Sequence, residues 1–270
     1  MAMIGRMKAA IGAKPALTKQ ERMAANRERK TRARLAAQVV FEIIQKETLP
    51  GRPSYVQVGA NDGILADQMY NRTKTGEWAA LMLEPSPHYF ARLQETYAGA
   101  DHVTRLNVGV SDKAGSMPLF YLDPKVEQLY PKGVQGGASL LRGQMEKVAQ
   151  RNGGDVYDPS HIIHSDVALE RLDKLVVDHG FQNADGLIVD VEGYETTVFN
   201  SFSYNDFRPR FTMFERIQIS KAETEAINAK HADAGYRVYE MNADNLAIRK
   251  DWLTPTVHKM LELLGVAQVA

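Results

Sequence analysis

The sequence predicts an α/β fold: a mostly parallel sheet with helices on both faces, closed by one antiparallel hairpin. From Ser54 onward, short apolar runs alternate with helix-length amphipathic segments, the rhythm of parallel strands joined by crossover helices. Two late strand-like runs, 236–240 and 245–249, are separated by four residues, too few for a parallel crossover, so they must pair antiparallel. The first strand runs directly into a glycine-bearing turn ending at Gly63, where open α/β sheets bind ligands.

The elements follow in order. Thr18-Lys19-Gln20-Glu21 has the spacing of a capping box, so a helix is expected from there to about Lys46, with Leu35, Val39, Val40, Ile43 and Ile44 on one face and Pro50-Gly51 ending it. Strands are expected at 55–58, 80–83, 103–106, 187–189 and 211–214, before the hairpin, giving a seven-stranded sheet. Helices are expected over 65–72, 88–97, 169–179 and 194–202. The stretch 123–166 breaks this rhythm and reads as an irregular insertion, with 161–164 and the Gly-rich part 132–139 expected to belong to a mobile cover over the acceptor site. Three segments result: a basic helical extension (1–50), an α/β domain (51–250) and a C-terminal helix or tail (251–270).

The chain has 270 residues, 44% hydrophobic and 24% charged, and no cysteine. Disulfides, thiolate metal sites and cysteine nucleophiles are thereby excluded. The net charge of zero is uneven: residues 1–36 hold ten Lys/Arg and two acids, a net +8 that leaves −8 for the remainder. Such an arm suits a protein partner, a second subunit or an anionic surface, with nucleic acid less favoured. No apolar run approaches the ~20 residues of a membrane span, so a soluble, cytoplasmic protein is expected. The Arg-rich start, with Met3, Ile4, Met7 and Ile11 at helical spacing, also has features of an organelle transit peptide.

Three groups of residues can carry chemistry. In the turn after the first strand, Gly59 and Gly63 permit a tight backbone, but Asn61 and Asp62 stand where a dinucleotide fingerprint needs small residues and pyrophosphate needs no acid. A cationic, phosphate-free ligand such as S-adenosylmethionine fits better. Glu84, at the end of the second strand, can accept ribose hydroxyls. Asp190 and Glu192, ahead of Gly193, lie at the end of another buried strand. His161 and His164 would share a face if that stretch were helical, but lack a zinc-like set of partners. A magnesium ion on Asp190, Glu192 and Glu215 is weighed, and no metal ligand is assigned.

Taken in order, VQVGANDG, LEPSPHYFARL, NVGVSDKAG, LERLDKL, LIVDVEGYE and RPRFTMFE resemble the FkbM-type S-adenosylmethionine-dependent methyltransferases over roughly residues 54–249. The resemblance implies a Rossmann-like class I methyltransferase fold. It implies that Gly59, Asn61 and Asp62, with Gly63 in the same turn, hold the methionine part of S-adenosyl-L-methionine, and that Glu84 holds the ribose. Asn107, Ser111 and Asp112 would lie near the adenine. The segment 190–193 would face both cofactor and acceptor, and Glu215 would end the next strand. The expected reaction is methyl transfer to a hydroxyl of a saccharide or glycosylated metabolite.

A hydroxyl needs help to lose its proton, and the candidates are Asp190, Glu192, Glu215, His164 and His88. Tyr89, Phe90, Tyr121, Tyr130, Tyr157 and Tyr194 are aromatic candidates for stacking, with Tyr130 and Tyr157 favoured for acceptor contact. The alternatives are an NAD(P)-dependent oxidoreductase and a non-catalytic binding or scaffold protein.

Overall fold

The computed structural model describes residues 18–65, 67–131 and 134–270. The spacing of Met3, Ile4, Met7 and Ile11 lies outside them. Helix α1 (Lys19–Thr48) starts where its capping box places it: Thr18 Oγ1 accepts the Glu21 N–H at 3.2 Å, and the Glu21 carboxylate accepts the Thr18 N–H at 2.7 Å. Up to Leu35 the helix is almost wholly exposed. Beyond it, Ala36, Ala37, Val40, Phe41 and Ile44 are buried. This stripe is rotated from the expected one, and Leu35 is 49% exposed. The small side chains of Ala36 and Ala37 form the contact line, while Phe41 packs against Trp78 and Phe211 with ring centroids 6.2 and 5.3 Å away.

The chain then forms β1 (Ser54–Val58), α2 (Tyr70–Lys74), β2 (Ala79–Leu83), α3 (Pro87–Thr96) and β3 (Val103–Leu106). Next come β4 (Gly109–Val110), β5 (Gly115–Leu122), β6 (Ala138–Ser139), α4 (Arg142–Gly153) and β7 (Ile162–Glu170). The last part holds α5 (Leu172–Asp178), β8 (Gly186–Val189), α6 (Glu195–Asn200), β9 (Phe211–Glu215), α7 (Lys221–Asp233), β10 (Tyr236–Met241), β11 (Asp244–Arg249), α8 (Pro255–Leu263) and β12 (Ala267–Gln268).

The main sheet has the order β12-β10-β11-β9-β8-β1-β2-β3. Strands β3, β2, β1, β8 and β9 are parallel, and β10 and β11 form the expected antiparallel hairpin. The expected seven strands become eight because the short β12 pairs with the outer edge of β10. The order reverses at β1, whose neighbours are β2 and β8, so the crevice opens above the carboxyl ends of these strands.

Alternation along β1 sorts side chains between two cores. Tyr55 packs with residues of α1, α3 and α8, whereas Val56 and Val58 pack with residues of α5, α6 and α7. The described part of the extension and the tail therefore build the main core, with Val257 and Leu261 of α8 beside Phe41 of α1.

Three expectations are corrected. The stretch 123–166 is not irregular. With flanking residues it builds a second sheet, β4-β7-β5-β6, whose β5 and β7 pair antiparallel from Gly115↔Leu169 to Leu122↔Ile162. The helix expected over 169–179 begins only at Leu172, because Leu169 and Glu170 are bound to β4 and Leu169 also to β5. The helix expected over 65–72 is reduced to α2, because Asp62 Oδ1 accepts the N–H groups of Ile64 and Leu65 at 2.9 and 2.8 Å, closing a local turn that competes with a helix.

Candidate active site

The crevice starts at the turn after β1. Gly59 has φ +84°, and a Cβ there would lie 1.8 Å from the carbonyl oxygen of Asp190, so glycine is required where the ends of β1 and β8 meet. The N–H groups of Gly59 and Ala60 both donate to the carbonyl of Leu83, at 2.9 and 3.0 Å. Glu84, next in the chain, is buried. Its Oε2 accepts the Asn61 N–H and its Oε1 the Ser86 N–H, each at 2.8 Å. Burial pushes this carboxyl up to about 7, against the opposing effect of those two bonds.

A cover lies across the turn. Asn61 Nδ2 donates to the carbonyl of Gly136 at 2.6 Å, and the Gly136 N–H donates to the hydroxyl of Tyr89 at 3.0 Å. Tyr89 in turn donates to Glu127 at 3.2 Å, and Arg92 also reaches Glu127, at 3.3 Å. Farther along, Ser139 Oγ donates to the carbonyl of Glu192 at 3.0 Å. The segment Gln135–Ala138 thus roofs a cavity of about 430 Å³ between two hydrogen-bonded pins. Lys132 and Gly133 of the expected cover lie outside the described residues.

Acids fill the far end of this cavity. One carboxylate oxygen from each of Asp190, Glu192 and Glu215 lies within 4.8 Å of the others. Asp244 joins them because the β9–β11 register sets it opposite Glu215. Burial, then the neighbouring Asp190, pushes Glu192 and Asp244 up to about 7. Asp190 faces the open cavity, yet its depth raises that carboxyl too, and burial followed by the charges of Asp190 and Glu192 raises Glu215 further. Glu195 is wholly buried beneath the 191–193 turn, where its Oε1 accepts the N–H groups of Val191 and Gly193 at 3.3 Å each.

Of the expected site residues, Gly59, Asn61, Glu84, Asp190, Glu192 and Glu215 line this one cavity. The others do not. Asp62 is engaged in its loop, and Gly63 is packed against Leu93 and Tyr97, which a Cβ would meet at 2.7 and 2.6 Å. Asn107 is exposed and binds the carbonyls of Glu84 and Pro85 at 2.8 and 2.9 Å, so it holds the backbone behind the pocket. Ser111 is buried, 3.4 Å from the hydroxyl of Tyr194. His164 is corrected most clearly: it lies exposed on β7 beside Phe120, away from the cavity, while His161 ends a 3-10 turn ahead of that strand, so the two histidines share no helix face.

His88 lies 3.7 Å from Glu127, and Tyr130 is buried with its hydroxyl 2.8 Å from His161, so neither lines the cavity. Tyr157 packs in the same satellite cluster as Tyr130. Tyr194 is the aromatic candidate that does line it.

Sequence reading missed Gln57, Asp67, Gln68 and Asp244, all on the cavity wall. Asp244 was open to discovery, since the hairpin register carries it to the end of β9. Asp67 and Gln68 were hidden by the expectation of a helix there.

Among the described residues, no helix is long and apolar enough to cross a membrane. The model of the methyltransferase FkbM domain matches residues 57–238. No curated protein matches the chain. Among solved structures, the chain is similar to methyltransferase FkbM from Methylobacillus flagellatus KT, with 13% identity, TM-score 0.46, and 73% of this chain and 43% of that one covered. It is also similar to the Methanococcus jannaschii fibrillarin pre-rRNA processing protein, with 9% identity, TM-score 0.37, and 74% and 67% covered. A third is the precorrin-6y C5,15-methyltransferase of Geobacter metallireducens GS-15, with 8% identity, TM-score 0.35, and 77% and 86% covered. The chain spans less than half the length of the first of these.

Proposed function

The chain belongs to the FkbM methyltransferase family, and from that premise we propose that it is an S-adenosylmethionine-dependent O-methyltransferase acting on a hydroxyl of a saccharide or glycosylated metabolite. The observation that carries this reading is the meeting, in one cavity, of Glu84 at one end and Asp190, Glu192 and Glu215 at the other.

The residues present fit the cofactor. Gln57 Oε1, Asp67 Oδ2 and Gln68 Oε1 are shielded acceptors on the cavity wall with no donor, a set that matches the N–H groups of an amino-acid ammonium. Glu84 keeps further lone pairs for ribose hydroxyls. The carboxylates favour a sulfonium and oppose the pyrophosphate of a dinucleotide, which argues against NAD(P). When bound, S-adenosylmethionine supplies an electrophilic methyl group.

The chain's own part is orientation and proton handling. The cover pinned at Asn61 and Glu192 restricts water, and Tyr194 offers an apolar face to a sugar ring. Glu192, raised to about 7, and Asp190 beside it are tuned to accept a hydroxyl proton near neutral pH. Titration calorimetry with S-adenosylmethionine and with NADH, followed by incubation with a glycan library, tests the proposal. S-adenosylmethionine binding and S-adenosylhomocysteine release are expected, and binding of NADH alone would sink it.

A further inference from the structure

We propose that Asp190, Glu192 and Glu215 form a binding site for one hard divalent cation, of the magnesium, manganese or calcium class. Their three oxygens lie within 4.8 Å of one another. Opposite ligands stand about 4.2 Å apart around magnesium and about 4.8 Å apart around calcium, so the spread suits a single ion. All three donors are carboxylate oxygens, the chemistry of hard cations rather than of zinc or copper.

The acids alone would not make a site, and Glu195 supplies the independent sign. Its side chain is wholly buried, and while Oε1 braces the backbone on both sides of Glu192, Oε2 has no partner. Those two bonds set its carboxyl beneath the turn that presents Asp190 and Glu192. Oε2 of Glu192 and Oε2 of Glu215 are likewise shielded and unpartnered. Glu192 is also held at φ +52°, with its carbonyl fixed by Ser139, so the backbone is held in the left-handed region at the residue that completes the trio. Three clustered carboxyl groups with a buried fourth beneath their turn, three of the four bearing an unsatisfied oxygen, call for a cation.

The use of such an ion, though not its existence, rests on the methyl-transfer reading. An acceptor hydroxyl bound to it would lose its proton more readily. The O–C bond would then form as the cofactor's C–S bond breaks, with that electron pair passing to sulfur and the hydroxyl proton to the carboxylate oxygen of Glu192 that the ion leaves free.

Titration of the full chain with manganese chloride, followed by calorimetry and electron paramagnetic resonance without any cofactor, tests the site. One manganese ion per chain is expected, displaced by magnesium or calcium. Asp190→Asn and Glu215→Gln should each weaken it by roughly tenfold or more, whereas Glu225→Gln on the exposed face of α7 should not. Should the site variants fail to fold, the wild-type unfolding midpoint decides: manganese must raise it more than sodium chloride of equal ionic strength. No manganese binding at millimolar concentration, or binding unchanged in both folded variants, overturns the proposal. S-adenosylhomocysteine titrated into the same protein separates the two readings, since its failure to bind would defeat methyl transfer and leave a positive manganese result standing.

Discussion

Glu84 accepts the backbone N–H of Asn61 at 2.8 Å, which makes the carboxylate at the end of β2 part of the turn that ends β1. With its second oxygen held by the Ser86 N–H, Glu84 fixes two loops of the crevice and still presents lone pairs to a ligand. One residue therefore couples the shape of the pocket to its recognition chemistry.

Glu84→Ala should lose on both counts. It leaves the Asn61 and Ser86 donors without acceptors, at a cost of about 1–3 kcal/mol for each that water cannot reach. Glu84→Gln retains one acceptor oxygen and should unfold at a temperature between alanine variant and wild type. Both should weaken S-adenosylhomocysteine binding at least about tenfold, the loss of one charge-assisted hydrogen bond. Scanning calorimetry and titration calorimetry read the two effects separately.

The same carboxyl predicts a pH dependence. Burial raises Glu84 from its ordinary 4.5 to about 7, and Asp67 from 3.8 to about 6, so the folded state holds these protons more tightly than the unfolded chain does. Their stabilising contribution is complete below about pH 4 and is lost as pH climbs through 6 and 7. The unfolding midpoint of the ligand-free protein should therefore fall between pH 5 and pH 8. Glu84→Gln should flatten that decline; an unchanged slope would show that Glu84 does not carry it.

Strands β1, β2, β8 and β9 were legible because each is a short, largely apolar run ended by glycine or an acid, and the hairpin was legible from its short link. The second sheet was not. Strand β5 contains Pro118, and the antiparallel β7 alternates buried and exposed residues with one histidine and two acids among them, so neither carries the continuous apolar signal of the parallel strands. Motif order found the residues at the strand ends, Gly59, Glu84, Asp190 and Glu215, because position on a parallel strand is enough to place them. It did not bring Asn107 and Asp62 to the cavity wall, because their side-chain directions depend on loops.

Gly136 is predicted to govern closure of the cover. It has φ +87°, and a Cβ would lie 2.8 Å from Asn61 Nδ2 and 2.9 Å from Leu65. Gly136→Ala should displace the roof and break the Asn61 contact, raising KM for the acceptor and speeding cofactor release. The fold should persist, with a loss of about 1–2 kcal/mol from left-handed strain. Stopped-flow cofactor release and denaturant unfolding check the two parts.

Charge removal at the acidic end should separate catalysis from binding. Glu192→Gln removes a proton acceptor while preserving shape, so turnover should fall about 100-fold or more, with S-adenosylhomocysteine affinity changed far less. His164→Ala, on the exposed face of β7, should leave both unchanged. Equal losses in these two variants would show that proton transfer runs through residues other than the crevice carboxylates.

The arm of α1 offers a test of where the folded unit begins. Between Lys19 and Leu35 the helix touches little, whereas Phe41 is wholly buried against Trp78 and Phe211. Deleting residues 1–34 would remove eight more cations than acids yet leave the buried stripe from Ala36 to Ile44 in place. Thermal stability and cofactor affinity should therefore stay close to wild type, while retention on a cation-exchange resin should drop sharply. Phe41→Ala, which removes no charge, should instead cost about 3–5 kcal/mol by opening a cavity where α1 meets the sheet. If the deletion unfolds the protein as Phe41→Ala destabilises it, the exposed half of α1 belongs to the folding unit; if only the substitution does, the boundary lies between Leu35 and Ala36.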